Sequence, residues 1–123
     1  MERDHFRELV REALDTLPRE LLARVQNVEI VIEWRPTAAD RHRAGIGPGS
    51  TLLGLYHGVP LPDRGHEGYN LVLPDKISIY QGPIESICRT DDEVREQVRT
   101  TVLHEIGHYF GIDDDRLHEL GMG

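Results

Sequence analysis

Apolar residues recur at helical spacing in the N-terminal segment. They fall at i, i+3, i+4, i+7, i+8 and i+11 and are Phe6, Leu9, Val10, Ala13, Leu14 and Leu17. This spacing predicts an amphipathic helix with one apolar side. Pro18 cannot continue that helix but suits the first position of a new one, so PRELLARV (18–25) predicts a short second helix.

The middle of the chain contains short segments that are typical of strands, with apolar residues alternating or in brief runs. These segments are VEIVIEW (28–34), TLLGLYHG (51–58), NLVLP (70–74) and KISIYQG (76–82). Between the first two, residues 35–51 contain two prolines and three glycines. That composition predicts a long loop, and a loop of this length is expected to border a cleft. A brief turn or helix is expected after Pro83.

The last long segment predicts a helix with polar chemistry on one side. Thr90 followed by Glu93 matches a capping box, and Gly111 suits the left-handed residue that ends a helix. At about 100° per residue, His104 and His108 lie one turn apart on the same side. The opposite side is apolar and carries Val98, Val102, Leu103, Ile106, Tyr109 and Phe110. The helix is therefore expected to bury its apolar side while the histidines face a cleft.

The order of these predicted elements indicates the fold class. Helices come first, several strands follow, and one long helix comes last, so helices and strands segregate along the chain. This order favours an α+β fold. A chain of 123 residues has room for one hydrophobic core. Residues 1–123 are accordingly expected to form a single domain.

Composition and charge narrow the function classes. The formal net charge is -8, which disfavours nucleic acid as a partner because its phosphates would be repelled. We find no secretory signal pattern and no apolar run long enough to span a bilayer, so no membrane partner is expected. Cys88 is the one cysteine, and a chain that makes no internal disulfide fits a cytoplasmic location. The sequence leaves homo-oligomer formation open.

His104 and His108 predict a metal site. Zn²⁺ binds neutral imidazole nitrogens, and two histidines one turn apart supply adjacent corners of a tetrahedron. Glu105 lies at the border of the two helix sides, where it can reach a water beside the metal without ligating it. A third ligand is needed, and Asp114, six residues beyond His108, can return a carboxylate after a reversal at Gly111. The alternative third ligands are Asp113, Asp115, His118 and Glu119.

The run HEIGHYFGIDD (104–114) resembles the Asp-zincin signature HExxHxxGxxD. Together with YQGPI (80–84), it is similar to the small bacterial zincin-like metallopeptidase domains called mini-zincins. The resemblance implies a zincin fold, with a small mixed β-sheet packed against an N-terminal helix and a long C-terminal active-site helix. It also implies Zn²⁺ as cofactor, His104, His108 and Asp114 as metal ligands, and Glu105 as the catalytic residue.

The function that this resemblance implies is hydrolysis of a peptide bond in a peptide or protein substrate. A zinc-activated water attacks the carbonyl, and Glu105 acts as general base and then as general acid. Zincins hold an extended substrate along an edge strand. KISIYQG (76–82) is the candidate for that strand because it directly precedes the active-site helix.

Two other functional classes stay open at the level of sequence. A non-catalytic zincin-like domain that binds a peptide or partner is suggested by the small size. It is also suggested by the lack of a methionine turn, since Met122 is not assigned that role. A metal-dependent endoribonuclease is the other class, because one bacterial family of similar size carries metal-binding histidines at this spacing on a helix. Glu105 and the acidic net charge argue against the endoribonuclease.

Overall fold

The computed structural model describes residues 1–25, 28–47, 49–58, 75–112 and 114–119. The helices and strands in this part of the chain are α1 (Arg3–Asp15), α2 (Arg19–Leu22), β1 (Val28–Glu33), α3 (Ala38–Arg43), β2 (Gly54–His57), β3 (Asp75–Tyr80), α4 (Gln81–Ser86), α5 (Asp91–Tyr109) and α6 (Asp114–Glu119). The α+β class predicted from the order of elements is confirmed.

The three described strands form one mixed sheet in the order β1-β3-β2. β3 pairs in parallel with β1, and it pairs antiparallel with β2. Both faces of β3 are buried, because Ile77 and Ile79 are fully inaccessible and so are Ser78 and Tyr80. The prediction that this segment is a substrate-holding edge strand is therefore wrong, since β3 has a strand on each side.

The core lies between α1, α5 and one face of the sheet. α1 packs against α5, and α5 packs against β2 and β3. The buried apolar side chains include Phe6, Leu9, Val10, Ala13, Leu17, Ile77, Ile79, Ile84, Val94, Val98, Val102, Leu103 and Ile106. Full burial of one such side chain stabilises the folded state by about 1.5–3 kcal/mol. The apolar stripe predicted in the N-terminal helix thus forms one wall of the core.

Three segments differ from the sequence prediction. The predicted loop 35–51 contains α3, where Thr37 and Asp40 form a capping box that stabilises a helix start. The predicted strand 76–82 ends at Tyr80, because α4 begins at Gln81. The predicted strand 51–58 is shorter, with β2 limited to Gly54–His57. The predicted strand 70–74 lies outside the described residues.

The long helix α5 begins and ends as the sequence predicted. The Thr90 side chain accepts a hydrogen bond from the backbone N–H of Glu93 at 3.1 Å. At the other end, the N–H of Gly111 donates to the His108 carbonyl and the N–H of Ile112 donates to the Gly107 carbonyl. This pair of bonds is a Schellman motif. Among the described helices, α5 included, none has both the length and the apolarity to cross a bilayer.

Replacing Gly111 with alanine is expected to lower the free energy of unfolding by about 1 kcal/mol, because an L side chain is disfavoured in the left-handed region. The φ angle of Gly111 is +73°. Urea denaturation followed by circular dichroism measures the change. Gly47→Ala is the control, because Gly47 has no positive φ and no atom within 4 Å of an added Cβ. Equal midpoints for the two variants would contradict the role of Gly111.

Candidate metal centre

Two imidazoles lie together on one side of α5. The ring centroids of His104 and His108 are 4.5 Å apart and the ring planes cross at 73°. Both side chains are half-buried. On the opposite side of the helix, Val98, Val102 and Ile106 are fully buried. The helix therefore presents its histidines away from the core, as the helical spacing predicted.

Glu105 is buried between α5 and β2. Its Oε1 accepts a hydrogen bond from the backbone N–H of Tyr56 at 2.9 Å. The same oxygen lies 3.1 Å from His108 Nδ1. The carboxylate is thus held from two directions, by the strand and by the next turn of its own helix. Tyr56 is fixed in turn, because its hydroxyl donates to Asp75 Oδ2 at 2.6 Å.

The donor set fits a metal ion of the zinc type. One ligand atom from each of His104, Glu105 and His108 can be chosen so that all lie within 4.8 Å of one another. Imidazole nitrogens and carboxylate oxygens are the ligands that Zn²⁺ takes in catalytic sites. With the proton on Nδ1, His108 donates to Glu105, and a metal would be bound through Nε2. A carboxylate that orients a ligating histidine in this way is common in zinc sites.

For the predicted third ligand, Asp114, the structure describes the position of the backbone. Asp114 is the first residue of α6, and α6 contacts α5. Its side chain lies outside the described part of the structure, so its role as ligand stays a prediction. Asp113 and the side chain of His118 also lie outside that part. Of the remaining alternatives, Glu119 accepts from Arg116 at 2.9 Å, and Asp115 is exposed.

A cleft of about 270 Å³ opens beside His104 and Glu105. It lies between the chain entering β2 and one side of α5, and its walls are Leu52, Leu53, Gly54, Gln97, Thr100, Thr101, His104 and Glu105. Apart from His104 and Glu105, these residues are apolar or neutral. The cleft therefore suits an uncharged group placed next to His104 and Glu105.

Two features of β2 were missed by the sequence prediction. The backbone N–H of Tyr56 contacts Glu105, and a backbone group has no residue type that could signal it. Gly54 allows the strand to approach α5 closely, since an added Cβ would lie 2.8 Å from Thr101 Cγ2. A glycine inside a strand pattern is a known sign of close approach, and TLLGLYHG carried that sign.

A second polar group lies on the sheet face opposite the core. The Tyr80 hydroxyl donates to Asp40 Oδ2 at 2.9 Å, which attaches α3 to the sheet. Burial, together with the bond to Asp40, raises the pKa of Tyr80 far above its usual value. Burial alone would raise the pKa of Asp40, but hydrogen bonds from Thr37 and Tyr80 lower it overall. This group supports the fold rather than the histidine site.

The family follows from comparison with known proteins. The sequence model of the zincin-like metallopeptidases matches residues 25–123, which include every residue of the histidine site. The chain belongs to the zincin-like metallopeptidases. This membership confirms the resemblance based on residues 104–114. It agrees with a metal-binding role for the site, because members of the family typically use zinc.

A solved structure supports the fold. A conserved hypothetical protein from Thermo thermophilus, TTHA0227, superposes with a TM-score of 0.57 at 24% sequence identity, over 98% of this chain and 97% of that chain. At this identity the similarity shows the fold alone. Together with the family match, this similarity confirms the zincin-like fold, with a small mixed sheet, an N-terminal helix and a long C-terminal helix. No curated protein matches the sequence.

Proposed function

We propose that the protein is a zinc-dependent peptidase that cleaves a peptide bond next to an uncharged side chain. The observation that carries this proposal is that the proposed ligands His104 and His108 and the proposed base Glu105 have donor atoms within 4.8 Å of one another. Membership of the zincin-like metallopeptidases indicates the class of chemistry. The grouped side chains are suited to carry it out.

His104, His108 and Asp114 are the residues that would hold Zn²⁺. Two imidazoles and a carboxylate match the ligand set of a catalytic zinc site. When bound, the ion would supply Lewis acidity toward a peptide carbonyl and toward water. Support for Asp114 comes from its spacing and from the backbone, because Gly111 ends α5 with a positive φ and α6 begins at Asp114.

Glu105 is the proposed general base and acid. Its carboxylate takes a proton from the attacking water and then donates that proton to the nitrogen of the leaving amine, as the carbon–nitrogen bond breaks. This role needs a carboxylate of fixed orientation. The hydrogen bond from the N–H of Tyr56 and the contact with His108 supply that orientation.

The cleft beside His104 is the proposed binding site for a substrate side chain. Leu52 and Leu53 give it an apolar wall, and Gln97 and Thr100 give it a neutral polar one. A charged substrate side chain would lose its hydration there, and the one charged group on the wall, the Glu105 carboxylate, is already held by the N–H of Tyr56. We therefore expect a preference for uncharged residues at the position that enters the cleft.

A peptide library tests the proposed function. Zinc-loaded protein is incubated with peptides from a digested proteome, and mass spectrometry identifies the new termini. We expect cleavage sites that share an uncharged residue next to the scissile bond and that disappear when a zinc chelator is added. Bound zinc without any new terminus would overturn the peptidase proposal in favour of a binding domain. Chelator-sensitive RNA cleavage without peptide cleavage would indicate an endoribonuclease.

A further inference from the structure

Gly54 lies where β2 and α5 come into close contact. A Cβ added at this position would be 2.8 Å from Thr101 Cγ2, 3.2 Å from the carbonyl oxygen of Ser78 and 3.3 Å from Glu105 Cγ. Real Cβ atoms essentially never lie within 3.0 Å of such an atom, so either Thr101 or the strand would have to shift. The strand can therefore approach this turn of the helix only because residue 54 has no side chain.

Neither side of this contact can move away easily. Gly54 pairs with Ile79 of the central strand, and the N–H of Tyr80 donates to the Leu53 carbonyl at 3.0 Å. On the helix, Thr101 is buried, and its hydroxyl accepts from Gln97 Nε2 at 3.2 Å. A β-branched side chain has few rotamers on a helix, so this bond helps keep the Thr101 methyl group toward Gly54.

The close approach bears directly on Glu105. Two residues after Gly54, the N–H of Tyr56 donates to Glu105 Oε1 at 2.9 Å. That bond can form only while β2 stays near α5. We infer that Gly54 is a positioning residue for Glu105, because it sets the strand-to-helix distance at which this bond forms. The catalytic consequence of this inference rests on the proposed peptidase function.

Gly54→Ala tests the inference with two measurements. The first is hydrogen exchange of the Tyr56 amide in the metal-free protein, which reports the bond to Glu105 without any catalysis. The second is the kinetics of peptide hydrolysis, measured alongside zinc affinity. We expect Tyr56 to exchange at least about tenfold faster. We also expect kcat to fall about 10–100-fold, because a small misplacement of a catalytic group costs that much. Zinc affinity should change less than about threefold, since the three atoms nearest the added Cβ belong to Thr101, Ser78 and Glu105 and not to a histidine.

A second substitution separates positioning from general damage. Thr101→Ser removes the methyl group that lies nearest to the added Cβ. In the double variant Gly54→Ala/Thr101→Ser, Tyr56 protection and kcat should return to within about threefold of the Thr101→Ser reference. If Gly54→Ala alone does not fold, the double variant is compared with Thr101→Ser by the same threefold limit. Gly47→Ala, in an open loop, is the control that should leave both quantities unchanged.

Specific outcomes overturn the inference. Unchanged Tyr56 protection in Gly54→Ala would show that the strand-to-helix distance does not depend on the glycine. A folded double variant that keeps fast exchange or slow turnover, relative to Thr101→Ser, would also contradict it. If the wild-type protein cleaves no peptide, the peptidase proposal fails, whereas Tyr56 exchange in the metal-free protein still decides whether Gly54 positions Glu105.

Discussion

Glu105→Gln is expected to lower kcat for peptide hydrolysis about 10²–10⁴-fold, the contribution that a positioned general base typically makes. An amide cannot take a proton from water. Its oxygen can still accept from the N–H of Tyr56, so the side chain should keep its place. Steady-state kinetics on a fluorogenic peptide measures the loss, and elemental analysis measures zinc. The zinc content is expected to match that of the wild type, because Glu105 is not a proposed ligand and the amide oxygen can still accept from His108 Nδ1.

The matched control for this variant is Glu96→Gln. Glu96 lies on the same helix, and its carboxylate is exposed and paired with Arg99. The same chemical change at that site should leave turnover unchanged. Full hydrolytic activity in Glu105→Gln would assign the base to another group. Loss of zinc together with activity would make Glu105 a ligand and would contradict its proposed role.

His104→Ala is expected to weaken zinc binding more than about 100-fold. Removing a group that merely orients a ligand costs about 10–100-fold in metal affinity, and removing a ligand should cost more. Competition with a chromogenic chelator measures the affinity directly. Thermal unfolding gives an independent measurement, because a metal that binds only the folded state raises its melting temperature. Zinc should therefore stabilise the wild type and not the variant.

Three further variants complete the measurement of zinc affinity. His42→Ala is the control, and two aspartate variants test the third ligand. His42 is exposed on α3, so its removal should leave zinc binding as it is. Asp114→Ala should weaken zinc binding to a similar degree as His104→Ala, whereas Asp115→Ala should not. The reverse result for the two aspartates would move the third ligand to Asp115. Unchanged zinc affinity in His104→Ala would contradict the metal centre as a whole.

The long helix and its histidines could be predicted because their signals are local. Thr90 and Glu93 mark its start, Gly111 marks its end, and the spacing of His104 and His108 places both on one side. Each of these features depends on residues within about two helical turns. α3 was missed for a related reason. The glycines and prolines around it outweighed the short capping signal of Thr37 and Asp40.

The order of the strands could not be predicted from the same kind of signal. Ile77 and Ile79 identify β3 as a buried strand. Nothing in that segment indicates that β1 pairs with one edge of β3 and β2 with the other. The bond between Tyr56 and Glu105 joins residues 49 positions apart through a backbone N–H that any residue type would supply. Such pairing is set by the assembled sheet. Sequence patterns therefore located the candidate metal-binding residues but not the groups that support them.

In the proposed peptidase, the hydrogen bond that joins Glu105 of α5 to β2 would limit the range of substrates. A bulky ligand that forced the sheet away from the helix would stretch the bond from Tyr56 and misalign the carboxylate at the moment of reaction. Selectivity would then come from turnover as much as from affinity, because oversized peptides could bind and still react slowly. The fixed distance between strand and helix would thus make the rate of catalysis depend on the size of the peptide.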